Sequence, residues 1–186
     1  MSGLGHNGGP TLEAGGSWRL HCWNRARADL LPHLPIEVLR TRVRRAGELG
    51  LDYRTYASVR AATGHDVVAF LFSSNALRVL PRTQVLPQDR LDKLQAISAS
   101  TRIGLAQSSV DPGHLMQLAM GALDQTHKAP MPLATFPAAR AALREALGKM
   151  PGDQVILVGD TSLEQEWCAA ARLAAWLPAD RYFART

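Results

Sequence analysis

The residues of this 186-residue chain best suited to chemistry are small, polar and placed just after short apolar runs. Val67 to Phe72 leads into Ser73-Ser74-Asn75, Ile103 to Gln107 into Ser108-Ser109-Val110-Asp111, and Val155 to Val158 into Gly159-Asp160-Thr161-Ser162. Small side chains let a ligand reach the backbone, and the N–H groups that open a following helix can hold an anion. Ser74, Asn75, Ser109, Asp111 and Thr161 are therefore the candidate ligand-binding residues, for a small anionic or polar molecule. His114 falls in the first turn of the helix that Pro112 would start, where the helix dipole disfavours its charged form. It is the candidate catalytic proton-transfer group, with Asp160 to orient it. Asp160, followed by Glu164 and Glu166, also has the carboxylate spacing that can hold Mg²⁺ through water. The same residues suit plain helix capping: Asp111 or Ser109 for one helix, Asp160, Thr161 or Ser162 for the last.

Other site chemistry lacks its residues. No Gly-x-Ser-x-Gly follows a strand, so a serine nucleophile has no elbow. No Walker loop or Gly-x-Gly-x-x-Gly follows one either, which disfavours the common nucleotide cofactors; no cofactor is indicated. Gly159-Asp160 after an apolar run resembles the fourth motif of the haloacid dehalogenase-type phosphatases. That family carries an aspartate nucleophile after its first strand, whereas Ser73-Ser74-Asn75 stand here, so the family is not assigned.

For the candidate residues to meet, the apolar runs must be neighbouring strands. Helical patterns lie between or after them, over 88–97, 113–125, 136–149 and 163–177. Short apolar runs alternating with helices predict an α/β fold: a small parallel sheet with helices on both faces, three layers in all. Ser74, Ser109 and Asp160 would then share one rim, beyond the carboxyl ends of the strands, where ligands bind in open sheets. The Val67 run is the least secure strand, since Asp66 also suits the cap of a buried helix. In the last helix Leu163, Trp167, Ala170, Leu173, Ala174 and Leu177 form a continuous apolar stripe, and Trp167 and Trp176 read as packing residues.

Ahead of this domain, assigned to 64–186, residues 1–16 hold six glycines and read as a flexible tail. Residues 17–63 read as an arginine-rich helical arm. Ile36, Leu39, Val43 and Ala46 mark one helix, and Asp52 caps a second that ends near Thr63, so the two form a hairpin. The arm holds nine arginines against four acidic residues, a balance of +5 that equals the net charge of the whole chain. Arg40, Arg42, Arg44 and Arg45 lie off the apolar stripe and supply an alternative function, contact with nucleic-acid phosphates. A helix-turn-helix reader is ruled out, because Val67 to Phe72 would offer only apolar side chains to a groove. Trp18 and Trp23 give a third option, docking of the arm on a protein partner as a non-catalytic subunit or adaptor.

Two cysteines, Cys22 and Cys168, lie far apart without metal spacing, and the six histidines are scattered. No metal site, structural or catalytic, is expected. No apolar run approaches the length of a membrane span, and the amino end does not read as a secretory signal. A cytoplasmic location follows as the expectation.

Overall fold

A computed structural model describes residues 34–184. The expected tail over 1–16, Trp18, Trp23 and the first half of the arm lie outside the described residues. The described residues from Arg40 onward form one compact unit.

Helix α1 (Ile36–Glu48) and helix α2 (Tyr53–Thr63) stand where two helices were expected. Asp52 caps α2, its carboxylate accepting from the Thr55 N–H at 2.9 Å and the Thr55 hydroxyl at 2.6 Å. Gly64 ends it in the left-handed region at φ 77°, a backbone that favours glycine. Of the predicted stripe on α1 only Ala46 is buried. Ala46, Leu49, Tyr56 and Val59 belong to the same apolar cluster as Phe70 and Phe72 of the sheet.

The sheet has five parallel strands: β1 (Ala69–Ser73), β2 (Thr101–Ala106), β3 (Gln125–Lys128), β4 (Val155–Gly159) and β5 (Ala175–Pro178). Their order is β3-β2-β1-β4-β5. Leu71 of β1 pairs with Ile103 of β2 on one side and Leu157 of β4 on the other. The Val67 run is thus the central strand, buried on both faces. Its β-branched and aromatic residues suit a pleated surface better than a helix.

Alternation along β1 assigns the faces. Phe70 and Phe72 point into one apolar cluster, with α3 (Gln88–Ala96), α4 (Pro112–Leu118) and the terminal turn α7 (Ala179–Tyr182). Ala69 and Leu71 point into the other, with α5 (Phe136–Leu147) and α6 (Ser162–Ala171). The three layers of an α/β sandwich result. Phe70, Phe72, Tyr182 and Phe183 form a ring cluster with centroids 5.0 to 6.1 Å apart, and the Tyr182 hydroxyl donates to the Leu49 carbonyl at 3.0 Å. Burial raises the Tyr182 phenol well above its usual range.

Two strands were not expected, and two predicted helices are shorter than their patterns. The stripe from Leu163 to Leu177 does not run as one helix. Arg172 turns left-handed at φ 54°, ψ 49°, and the residues beyond it form β5. Alanines and single large apolar side chains pack equally well on an edge strand, so the pattern did not distinguish the two. Likewise the helix expected over 113–125 stops at Leu118, and Gln125 to Lys128, too polar to read as a strand, pair with β2 as an edge. Gly104 opposite this edge is constrained: a Cβ there would meet Leu123 Cδ1 at 2.8 Å and Leu115 Cδ2 at 2.9 Å.

From β1 the chain moves through β2 to β3 over one face, then crosses back over the other face to β4 and β5. The direction reverses between β1 and β4. In open parallel sheets the crevice for a ligand lies at that reversal, beyond the carboxyl ends of the two strands.

Candidate functional site

The carboxyl ends of β1, β2 and β4 converge on one side chain, Glu164 in the first turn of α6. It is 1% exposed. Its Oε1 accepts from Asn75 Nδ2 at 3.0 Å and from Gln107 Nε2 at 2.9 Å. Its Oε2 accepts from the backbone N–H groups of Asp160 at 2.6 Å and Thr161 at 2.9 Å. Four donors use all the acceptor capacity of a carboxylate. Thr161 completes a capping box, its hydroxyl accepting from the Glu164 N–H at 3.3 Å. The N–H groups that would have received a bound anion at the start of α6 therefore already hold a carboxylate of the chain itself.

Gly159 is fitted to this arrangement. A Cβ there would lie 2.7 Å from Trp176 Nε1 and 3.0 Å from Glu164 Oε2. Trp176 Nε1 is buried without a hydrogen-bond partner among the described residues.

Above Glu164 a cavity of about 160 Å³ opens, with Asn75, Gln107, Thr161 and Glu164 as its polar floor. Met131, Leu133, Phe136, Leu163 and Trp167 form apolar walls, and Glu166 stands at the edge. Four of the wall residues are unusually open for their type: Met131 is 62% exposed, Leu133 85%, Phe136 56% and Leu163 44%. Leu133 is also left-handed at φ 59°, a conformation that strains a branched residue. Thr135 precedes α5 without capping it through its side chain; Pro137 in the first turn has no N–H, and the Ala139 N–H donates to the Thr135 carbonyl at 2.9 Å.

The expected site residues divide around this centre. Asn75 and Thr161 line the cavity and touch Glu164. Ser74 is fully buried in the turn after β1, its N–H donating to the Leu105 carbonyl and its hydroxyl accepting from the Gln107 N–H at 3.1 Å. Asp160 is exposed and contributes its backbone rather than its carboxylate. Ser109 is exposed on the loop after β2 and does not line the cavity. Asp111 caps α4 through the His114 N–H at 2.9 Å.

His114 and Asp160 are not brought together. The His114 ring Nε2 meets the Thr83 carbonyl at 3.0 Å, which makes that nitrogen the protonated one. Its helix α4 covers the face of Phe70 and Phe72, whereas Asp160 leads into α6 on the opposite face. Among the described residues no group of three histidines, cysteines or carboxylates is placed to hold a metal ion.

The arginines of α1 separate as well. Arg45 is turned inward: it donates to Asp66 at 3.0 Å, to the Val67 carbonyl at 2.8 Å and to the Ala99 carbonyl at 3.1 Å, and pairs with Glu48 at 3.1 Å. Its guanidinium is committed to the fold. Arg44 lies 3.9 Å from Glu48, and Arg40 and Arg42 lie on the same helix. Burial alone would raise the Asp66 carboxyl, but hydrogen bonds from Tyr56, Val67 and Arg45 outweigh it and hold the group below its usual range.

Gln107 was not expected at the site, and Glu164 was read only as a carboxylate near Asp160, not as a ligand-binding or catalytic residue. The Thr161-x-x-Glu164 spacing announces a capping box, which places the Glu164 side chain over the start of α6. Nothing in the sequence announces that Asn75 and Gln107 reach the same oxygen, since that follows from strand order. Cys168, half-buried on α6, has its thiol pushed up to about 12 by burial and is poorly suited to act as a nucleophile.

Among the described residues no helix is long and apolar enough to cross a membrane. Compared with known protein families, curated proteins and solved structures, the chain matches none.

Proposed function

We propose that this chain is a binding domain that holds a small polar ligand at the carboxyl ends of β1 and β4, with the polar end of the ligand over Glu164. The cavity beside the reversal of strand order carries this reading. Its volume is comparable to cavities that take a benzene-sized group. Its apolar walls and few convergent polar groups are the usual make-up of a small-molecule site.

The electrostatics select among ligands. The donors at the start of α6 are already used by Glu164. The dipole at the start of α5, where Pro137 lacks an N–H, is outweighed by the carboxylates of Glu164 and Glu166. A neutral polar or cationic head is favoured over an anionic one. An amide-like head suits this balance: it carries no negative charge, and its N–H groups can donate to Glu166 at the edge.

Catalysis by a His114–Asp160 pair has no support in this geometry, so the proposal is binding alone. The alternative of phosphate contact through α1 retains Arg40, Arg42 and Arg44 but loses Arg45 to its inward bonds. Arm docking through Trp18 and Trp23 concerns residues outside those described.

Thermal shifts with three probes that share one alkyl body test the proposal. Isovaleramide and isopentylamine are expected to raise Tm at millimolar concentration, and isovalerate is not. Stabilisation by isovalerate alone, or by none of the three, would remove the support for this ligand class.

A further inference from the structure

At the amino ends of β4 and β5, the rim opposite the crevice, three arginines share one concavity. Arg140 and Arg144 stand one turn apart on α5, and Arg172 follows α6. With Gly152 and Asp153 ahead of β4 they line a groove of about 430 Å³. None of the three guanidinium groups has a hydrogen-bond or ion-pair partner among the described residues. Arg45, Arg102 and Arg181, by contrast, are each bound to a side chain of the fold. Asp153, the acidic residue of the groove, faces His65 at 3.6 Å.

Helix dipoles do not account for this set. A cation near a helix end explains Arg144 in the last turn of α5 and Arg172 after α6. Arg140 sits beyond the first turn of α5, where the dipole gives a cation no advantage. Arg172 occupies a left-handed C-cap, a conformation cheaper for glycine or asparagine. The backbone cost is borne at a position that delivers a third guanidinium to the groove.

We infer that this groove binds a compact oligophosphate group, a di- or triphosphate. The planar fork of arginine pairs with phosphate oxygens two at a time. Here the forks come from two helices onto one hollow, which suits adjoining phosphates better than the singly spaced phosphates of a nucleic-acid backbone. The site is independent of the crevice at the other rim.

Isothermal titration of the full chain with tripolyphosphate at low salt tests it, beside a short single-stranded oligonucleotide. Arg172→Gly is the decisive variant, because it removes a guanidinium while relieving the left-handed backbone. It is expected to raise Tm by about 1–3 °C and to weaken tripolyphosphate binding about tenfold. Arg144→Ala weakens it comparably, Arg144→Lys recovers part of the loss, and Arg54→Ala, at an exposed arginine of α2, leaves it unchanged. Equal affinity in wild type and Arg172→Gly overturns the inference, as does binding of the oligonucleotide without binding of tripolyphosphate.

Discussion

Asn75, just beyond the central strand, donates to Glu164 at 3.0 Å across 89 positions of sequence. This bond joins the ends of β1 and α6 at the one place where the sheet reverses direction. With Gln107 and two backbone N–H groups it makes Glu164 an anion that the fold supplies for itself.

Removing that anion strands its donors. Glu164→Ala leaves buried donors unpaired and is expected to cost about 3 kcal/mol in urea unfolding. Formate or acetate should recover part of the loss by entering the vacated position, and should leave the wild type unchanged. An equal effect of formate on both proteins would show that the donors do not converge on one anion.

Gly159→Ala tests the fit of the floor. The added methyl meets Trp176 Nε1 and Glu164 Oε2, and overpacking of this kind costs about 1–3 kcal/mol. The backbone amide signals of Asp160 and Thr161 should shift together, because Glu164 is displaced from both. Unchanged stability and unchanged amide signals would contradict the packing described here.

Arg45 and Arg42 on the same helix should behave differently. Arg45→Ala breaks a network of two carboxylates and two carbonyls and is expected to cost about 2–3 kcal/mol. Arg42→Ala should stay within about 0.5 kcal/mol. Equal, small effects in chemical denaturation would show that the inward bonds of Arg45 contribute nothing.

Acid should weaken the fold in a defined window. The side-chain hydrogen bond from Arg102 holds the Asp124 carboxyl below its ordinary 3.8, despite partial burial. Asp66 is lowered too, by bonds that outweigh its burial. A carboxyl whose folded value is depressed adds stability that is complete above its unfolded value and disappears as pH falls through the folded one. Stability should therefore fall from about pH 4 downward. Asp124→Asn should be less stable at neutral pH and should lose less on acidification. An identical acid profile for the two proteins would contradict the Asp124–Arg102 coupling.

Much of the fold could be read from the residues that punctuate it. Asp52, Asp111 and Thr161 cap helices through their own side chains, so the local signal and the local structure are the same interaction. The three apolar runs became strands for a similar reason: each is long enough to span a buried sheet. The edge strands were hidden. Gln125 to Lys128 is polar throughout because this strand is an edge of the sheet, and Ala175 to Pro178 continues an apolar stripe that fits a helix equally well. The rim was legible as a location, since parallel strands place their loops on one side. Its chemistry was not, because Asn75, Gln107 and Glu164 meet only once strand order is known. His114 looked reactive for its helix position and is instead bonded to Thr83, a loop residue that no periodicity places beside it.

The crevice itself is tested most directly by ¹⁵N NMR titration with isovaleramide, isopentylamine and isovalerate. The side-chain amide signals of Asn75 and Gln107, the Thr161 N–H and the Trp167 indole should shift progressively with the first two probes and stay still with the third. Shifts confined to residues outside this set, or a response to isovalerate alone, would contradict a crevice built around Glu164.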